Sequence, residues 1–125
     1  MKLNFDAMRE LLFVIEDQPR KIDINKVVLD QRLQSFEKND LGYAIEKLIE
    51  QNFLKGKVIK TKDGILFSID SISVSGHEFL DNIRSDTNWK KIKGAAIKMG
   101  ISTIKGVTQI ASKVSTDYLN NHLNL

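Results

Sequence analysis

His77 stands beside Glu78 and four residues before Asp81, a set of side chains able to hold a metal ion or to move a proton. A metal centre needs three or four converging ligands. The second histidine, His122, lies three residues from the C-terminus and is a poor second ligand. The bland role fits His77 better, that of a residue in the first turn of a helix. With no cysteine in 125 residues, disulfides, thiolate catalysis and cysteine-built zinc sites are excluded. The seven glycines are scattered singly, so no phosphate loop or dinucleotide fingerprint forms, and no nucleophile motif is present. The carboxylates stand among lysines, the pattern of solvated helix surfaces. The expectation is a protein with no catalytic residues, no metal and no cofactor; it is not read as an enzyme.

Lysine carries the better functional signal. Lys55, Lys57, Lys60 and Lys62 are opposed locally only by Asp63. Lysines so placed contact phosphates and give salt-dependent, sequence-tolerant binding to nucleic acid. Edge strands also carry lysine merely to block aggregation, and that alternative stands beside the first. On the helix upstream, Tyr43, Lys47 and Gln51 are placed to reach a groove, while Asp40, Glu46 and Glu50 repel phosphates. The four arginines, Arg9, Arg20, Arg32 and Arg84, all lie off that helix, which argues against base reading and leaves room for a protein partner. Charge is also uneven along the chain. Residues 1–83 carry a net −2 and residues 84–125 a net +5, with no acid from Thr87 to Thr116. Such a block suits an anionic partner.

These residues need elements to hold them. Asn4 is a good N-cap for a helix bearing Phe5, Met8, Leu12 and Ile15, and Pro19 stops it. Residues 21–25 alternate polar and apolar, as a short strand does. Residues 26–38 fit a strand or a helix, and a short helix is favoured. Asn39-Asp40 caps a helix running to about Asn52; Phe53-Leu54 then reaches the core and Gly56 breaks the chain. Strands over 58–61 and 65–69 flank Asp63-Gly64, a hairpin turn that needs positive φ. Ile72 and Val74 extend the sheet. Ser75 and Glu78 have capping-box spacing for a helix that turns Phe79, Leu80 and Ile83 inward and ends near Ser85-Asp86.

From Trp89 onward one or two helices follow. Ile97, Ile101, Ile104, Val107, Ala111, Val114 and Tyr118, in steps of three or four, form one apolar stripe. Lys91, Lys98, Lys105 and Lys113 fall opposite. Gly94, Gly100 and Gly106 each cost a helix about 1 kcal/mol relative to alanine, so the segment needs something to pack on. A symmetry mate, its own domain and an anionic membrane are the three options, the membrane being the minority reading. Trp89 anchors the hinge.

The order helix, short strand, helix, helix, hairpin is that of a winged helix-turn-helix. The fold class is α+β: a winged-helix-like domain over 1–86, then a basic amphipathic helical tail over 87–125. The stretch Gly76-His77-Glu78-Phe79-Leu80-Asp81-Asn82-Ile83-Arg84, followed by Trp89, resembles the signature of an uncharacterised family of small bacterial, phage and prophage proteins, a domain of unknown function. Ile15-Glu16-Asp17, the helix Tyr43-Ala44-Ile45-Glu46-Lys47-Leu48-Ile49-Glu50 and Lys90-Lys91 resemble it too, so the likeness spans most of residues 1–93. Two departures stand out: residues 26–38 are longer and more apolar than the family suggests, and Ala44 replaces a frequent histidine. The resemblance implies a winged-helix-like fold and a mobile-element setting, and it brings no catalytic residues.

Composition agrees with a folded chain, at 42% hydrophobic and 28% charged residues. No apolar run approaches the ~20 residues that cross a bilayer. The N-terminus lacks a signal core, so a cytoplasmic protein is expected. The expected partners are DNA, a host or phage protein, and a second copy joined through the C-terminal helix.

Overall fold

Asn4 opens the first helix by accepting a hydrogen bond at Oδ1 from the Ala7 amide at 3.0 Å. The computed structural model describes residues 1–122. Helix α1 runs Phe5–Glu16 and buries Met8, Leu11, Leu12 and Ile15. Helix α2 is Ile24–Val28, followed by a 3-10 turn at Gln31–Leu33. Helix α3 is Lys38–Glu50, and strands β1 (Leu54–Thr61) and β2 (Gly64–Ile72) pair antiparallel. Helices α4 (Val74–Ile83), α5 (Asp86–Met99) and α6 (Ile104–His122) follow. The architecture is α+β: among the described residues, six α-helices and a two-stranded sheet. The chain divides into two compact units, Met1–His77 and Glu78–Leu125. In the first, α1 packs on α3 and β2; in the second, α5 packs on α6.

Several local expectations are corrected. The strand over 21–25 does not form. Lys21 takes φ +67° and bends the chain, and Asp23 caps α2 by accepting from the Asn25 amide at 2.9 Å. A carboxylate offered to a free amide outweighs a brief alternation of residues. Residues 26–38 hold the end of α2, the 3-10 turn and the start of α3 rather than one helix. Helix α3 begins at Lys38, before Asn39-Asp40, and its N-cap Glu37 makes no side-chain cap. It ends at Glu50 through a Schellman closure. Asn52 stands at φ +63°, its amide bonds the Ile49 carbonyl at 3.0 Å, and the Phe53 amide bonds the Leu48 carbonyl at 2.9 Å.

The strands are longer than expected. Gly56 lies within β1 opposite Ile69, and does not break it. Lys62 and Asp63 keep negative φ, and only Gly64 takes φ +135°, so Asp63-Gly64 are not the two central turn residues. Ile69 and Ile72 are both buried although three apart, which strict alternation forbids. The register slips between Lys55 and Gly56, leaving Asp70 as the extra residue that turns both isoleucines inward. Val74 begins α4 instead of extending the sheet.

The cap of α4 is Ser73, not Ser75. Its Oγ accepts from the Gly76 amide at 3.0 Å and donates to the Asn52 carbonyl at 2.6 Å. Its own amide bonds the Phe53 carbonyl at 2.9 Å. The start of α4 is thereby tied to the corner between α3 and β1. In the second unit Ser85 caps α5 through the Asn88 amide at 3.3 Å, and Gly100 ends it at φ +69°.

An exposed ion cluster joins the 3-10 turn to the end of α1. The Arg32 guanidinium bonds Asp17 at 2.8 Å and both oxygens of Asp30 at 3.0 Å. Arg32 holds the Asp30 carboxyl down at about 2, first through the side-chain hydrogen bonds and then through its backbone amide. A depressed carboxylate stabilises the fold fully above the ordinary range near 4, and that contribution fades as pH falls towards 2. Asp30→Asn keeps the cap and removes the charge. Its melting temperature is expected to lie slightly below the parent's at pH 6, with the gap closing between about pH 4 and 2. Thermal melts by circular dichroism at stepped pH check this.

Candidate nucleic-acid interface

The hairpin presents its lysines because alternation sends successive residues to opposite faces. Lys55, Lys57 and Ile59 share one face with Ser68 and Leu66, and Lys62 occupies the turn. Lys60 lies on the other face with Val58, Ile65 and Phe67, so the four lysines do not form one flat patch. All four are exposed, and none makes an ion pair among the described residues. The end of the hairpin is also apolar: Ile59, Ile65 and Leu66 are each about half exposed.

Helix α3 is different. Tyr43, Lys47 and Gln51 are all half-buried. The Lys47 ammonium binds Glu50 at 2.9 Å and lies 5.1 Å from the Tyr43 ring centre. The Glu50 hydrogen bond raises the Lys47 pKa, since it favours the charged form. That cation is already occupied within its own helix. The set Tyr43, Lys47 and Gln51 is therefore brought to one helix, but without a free positive charge.

The stripe expected along the tail is split by the left-handed turn at Gly100. Ile97, on α5, is 75% exposed. On α6, Ile104, Val107 and Ala111 are buried, Val114 is half-buried and Tyr118 is exposed, stacked on His122 at 3.9 Å. Ile101 is half-buried in the connection. The buried part of the stripe faces α5, which contributes Trp89, Ile92 and Ala96. Lys91, Lys98, Lys105 and Lys113 are exposed, and Lys113 pairs with Asp117 at 3.1 Å. No helix among the described residues is long and apolar enough to cross a membrane. His77 is exposed and its amide bonds the Ser73 carbonyl at 2.9 Å; among the described residues no cluster of metal ligands forms.

One feature escapes sequence reasoning. A cavity of about 600 Å³ opens between α2, the 3-10 turn, α3 and β2, lined by Ile24, Val28, Leu29, Leu33, Gln34, Phe36, Lys38, Leu41, Gly42, Ile45 and Phe67. Phe67 lies over Gly42, its Cε2 3.8 Å from where a Cβ would stand. The signal available beforehand was the unusual apolar content of residues 26–38.

Compared with known proteins, residues 2–102 match a family profile described as hypothetical protein (DUF2513). An uncharacterised protein of Haemophilus influenzae is 25% identical over 113 residues, which cover 87% of this chain and 93% of that one. No solved structure matches significantly.

Proposed function

The chain belongs to the family of hypothetical proteins designated DUF2513, and we propose that this member is a small winged helix-turn-helix protein, without enzymatic activity, that binds nucleic acid through its phosphates. In this reading α1, α2 and α3 are the three helices of the motif and β1–β2 is the wing. A cytoplasmic, phage or prophage setting belongs to the same reading. The observation that carries it is the wing's four exposed lysines, free of ion pairs among the described residues. The acids of α3 and the occupied Lys47 favour sequence-tolerant contact over base readout. The exposed lysines of α5 and α6 add a second basic face. Of the stripe, Ile97 on α5 and Tyr118 on α6 are exposed and left for a second copy, with Leu119 beside Tyr118.

The test is fluorescence anisotropy of a labelled random duplex with the full chain across a salt series. Three to four phosphate contacts predict a log–log slope of about −3, hence roughly 60-fold weaker binding at 200 mM than at 50 mM salt. Absence of binding at low salt ends this reading. A protein adaptor on the same scaffold is the second reading, favoured by the negative balance of α3, where Asp40, Glu46 and Glu50 outnumber Lys38 and Lys47. Recovery of one stoichiometric protein by the tagged chain from nuclease-treated lysate supports it.

A further inference from the structure

The cavity beside α3 differs from the lysine-bearing hairpin in shape and in chemistry. Its volume of about 600 Å³ lies within the range of small-molecule sites. Its walls converge from four elements, so the space is concave. They are apolar apart from Gln34 and Lys38. The Gln34 side-chain nitrogen is already committed, donating to the Val28 carbonyl at 3.0 Å and the Asp30 carbonyl at 3.1 Å. Lys38 is exposed and makes no ion pair among the described residues. It is the only charged residue of the lining. Leu29, at the lip, is 76% exposed and Val28 39%. A large exposed apolar lip on a concave wall marks a site that binding would cover.

We propose that this cavity binds a small apolar acid, an acyl or aryl carboxylate, with its chain or ring against Leu33, Phe36, Leu41 and Phe67 and its carboxylate paired with Lys38. An apolar chamber with a single unpaired cation at its edge favours an anion over neutral and cationic ligands of equal size, because only the anion gains a charge-assisted hydrogen bond from the ammonium and a cation is repelled by it. The first turn of α3, which has no side-chain cap, lies at the same end and adds partial positive charge. Neither acid flanking Lys38 in that turn, Glu37 or Asp40, lines the cavity. The proposal is independent of nucleic-acid binding.

The probe is dodecanoate, held below its micellar concentration and titrated against the full chain with anilinonaphthalene sulfonate bound. Dodecanol and dodecylamine are the neutral and cationic controls. Saturable displacement by dodecanoate is expected, at least about tenfold tighter than by either control. Amide chemical shifts should move at Ile24, Gln34, Lys38 and Gly42. Lys38→Glu should weaken dodecanoate about tenfold and leave dodecanol unchanged, while Lys38→Arg should restore the preference. Lys38 is exposed, so both variants should fold. Equal affinity for dodecanoate and dodecanol, or no effect of Lys38→Glu, overturns the assignment. So does failure of dodecanoate to displace the dye; where the protein also sediments as a dimer weakened by Leu29→Ser, a second copy covers the cavity.

Discussion

The triple variant Lys57→Glu, Lys60→Glu, Lys62→Glu is expected to lose duplex binding by at least about a hundredfold at physiological salt. Its melting temperature should stay within a few degrees of the parent's. The three ammonium groups are exposed, and none makes an ion pair among the described residues. Reversal changes the local charge by six, turning attraction for phosphate into repulsion without removing any buried contact. The faces matter here. Lys57 points to one side of the hairpin, Lys60 to the other, and Lys62 caps the turn. A duplex laid along one face meets Lys55 and Lys57, whereas a duplex straddling the tip meets all of them. Single reversals therefore distinguish the two poses. Lys57→Glu dominates in the first, and Lys57→Glu, Lys60→Glu and Lys62→Glu are comparable in the second. If the triple variant binds as the parent does, the wing is not the contact surface, and Lys90, Lys91 and Lys98 become the next residues to reverse.

Gly76→Ala is expected to destabilise the protein by about 3 kcal/mol and lower its melting temperature by about 10 °C. A Cβ at position 76 would collide with the Phe53 carbonyl oxygen and stand 2.8 Å from the Ile72 Cγ2. The obstacle is backbone, fixed by the hydrogen bond from the Ser73 amide, so it cannot rotate away. Relief requires α4 to lift from the corner it caps, which breaks the bonds of Ser73 to Asn52 and Phe53. The control is Gly94→Ala, where nothing lies within 4 Å of the added carbon. That change should stabilise α5 by about 0.5–1 kcal/mol. Thermal melts of the two variants should move in opposite directions. An unchanged melting point for Gly76→Ala would contradict the close approach.

The parts of the fold legible in the sequence were those set by neighbours along the chain. Asn4 with Phe5, Met8, Leu12 and Ile15 fixes α1, and the apolar runs around Asp63-Gly64 fix a hairpin. Where two local signals compete, the repeating pattern is the weaker of the two. The alternation at Lys21-Ile22-Asp23-Ile24-Asn25 hid the cap at Asp23. The spacing of Ser75 and Glu78 matches a capping box, yet α4 begins at Val74 and Ser73 does the capping, its hydroxyl accepting from the Gly76 amide and held by the Asn52 carbonyl, 21 residues away. The lysines of the hairpin were legible as a group, and period two divides them between faces. The cavity was illegible because it depends on Phe67 meeting Gly42, a pairing of distant positions that no local pattern encodes.

Ser73 returns to the place where the hairpin began: its amide meets the Phe53 carbonyl and its hydroxyl the Asn52 carbonyl. Residues 54–72 are thus an out-and-back excursion with both ends fastened at one point. Such an arm is a ruler of adjustable length. Inserting one residue in each strand beyond Gly56 would lengthen it by about 3.4 Å and turn the tip over, whereas two in each would lengthen it by about 6.8 Å and keep every side chain on its face. Insertions beyond the Val58–Phe67 pair would leave the anchor and the contact of Phe67 with Gly42 in place, and the entropic cost of a longer loop rises only slowly. Designed variants are free to differ in reach here while sharing everything upstream of Leu54.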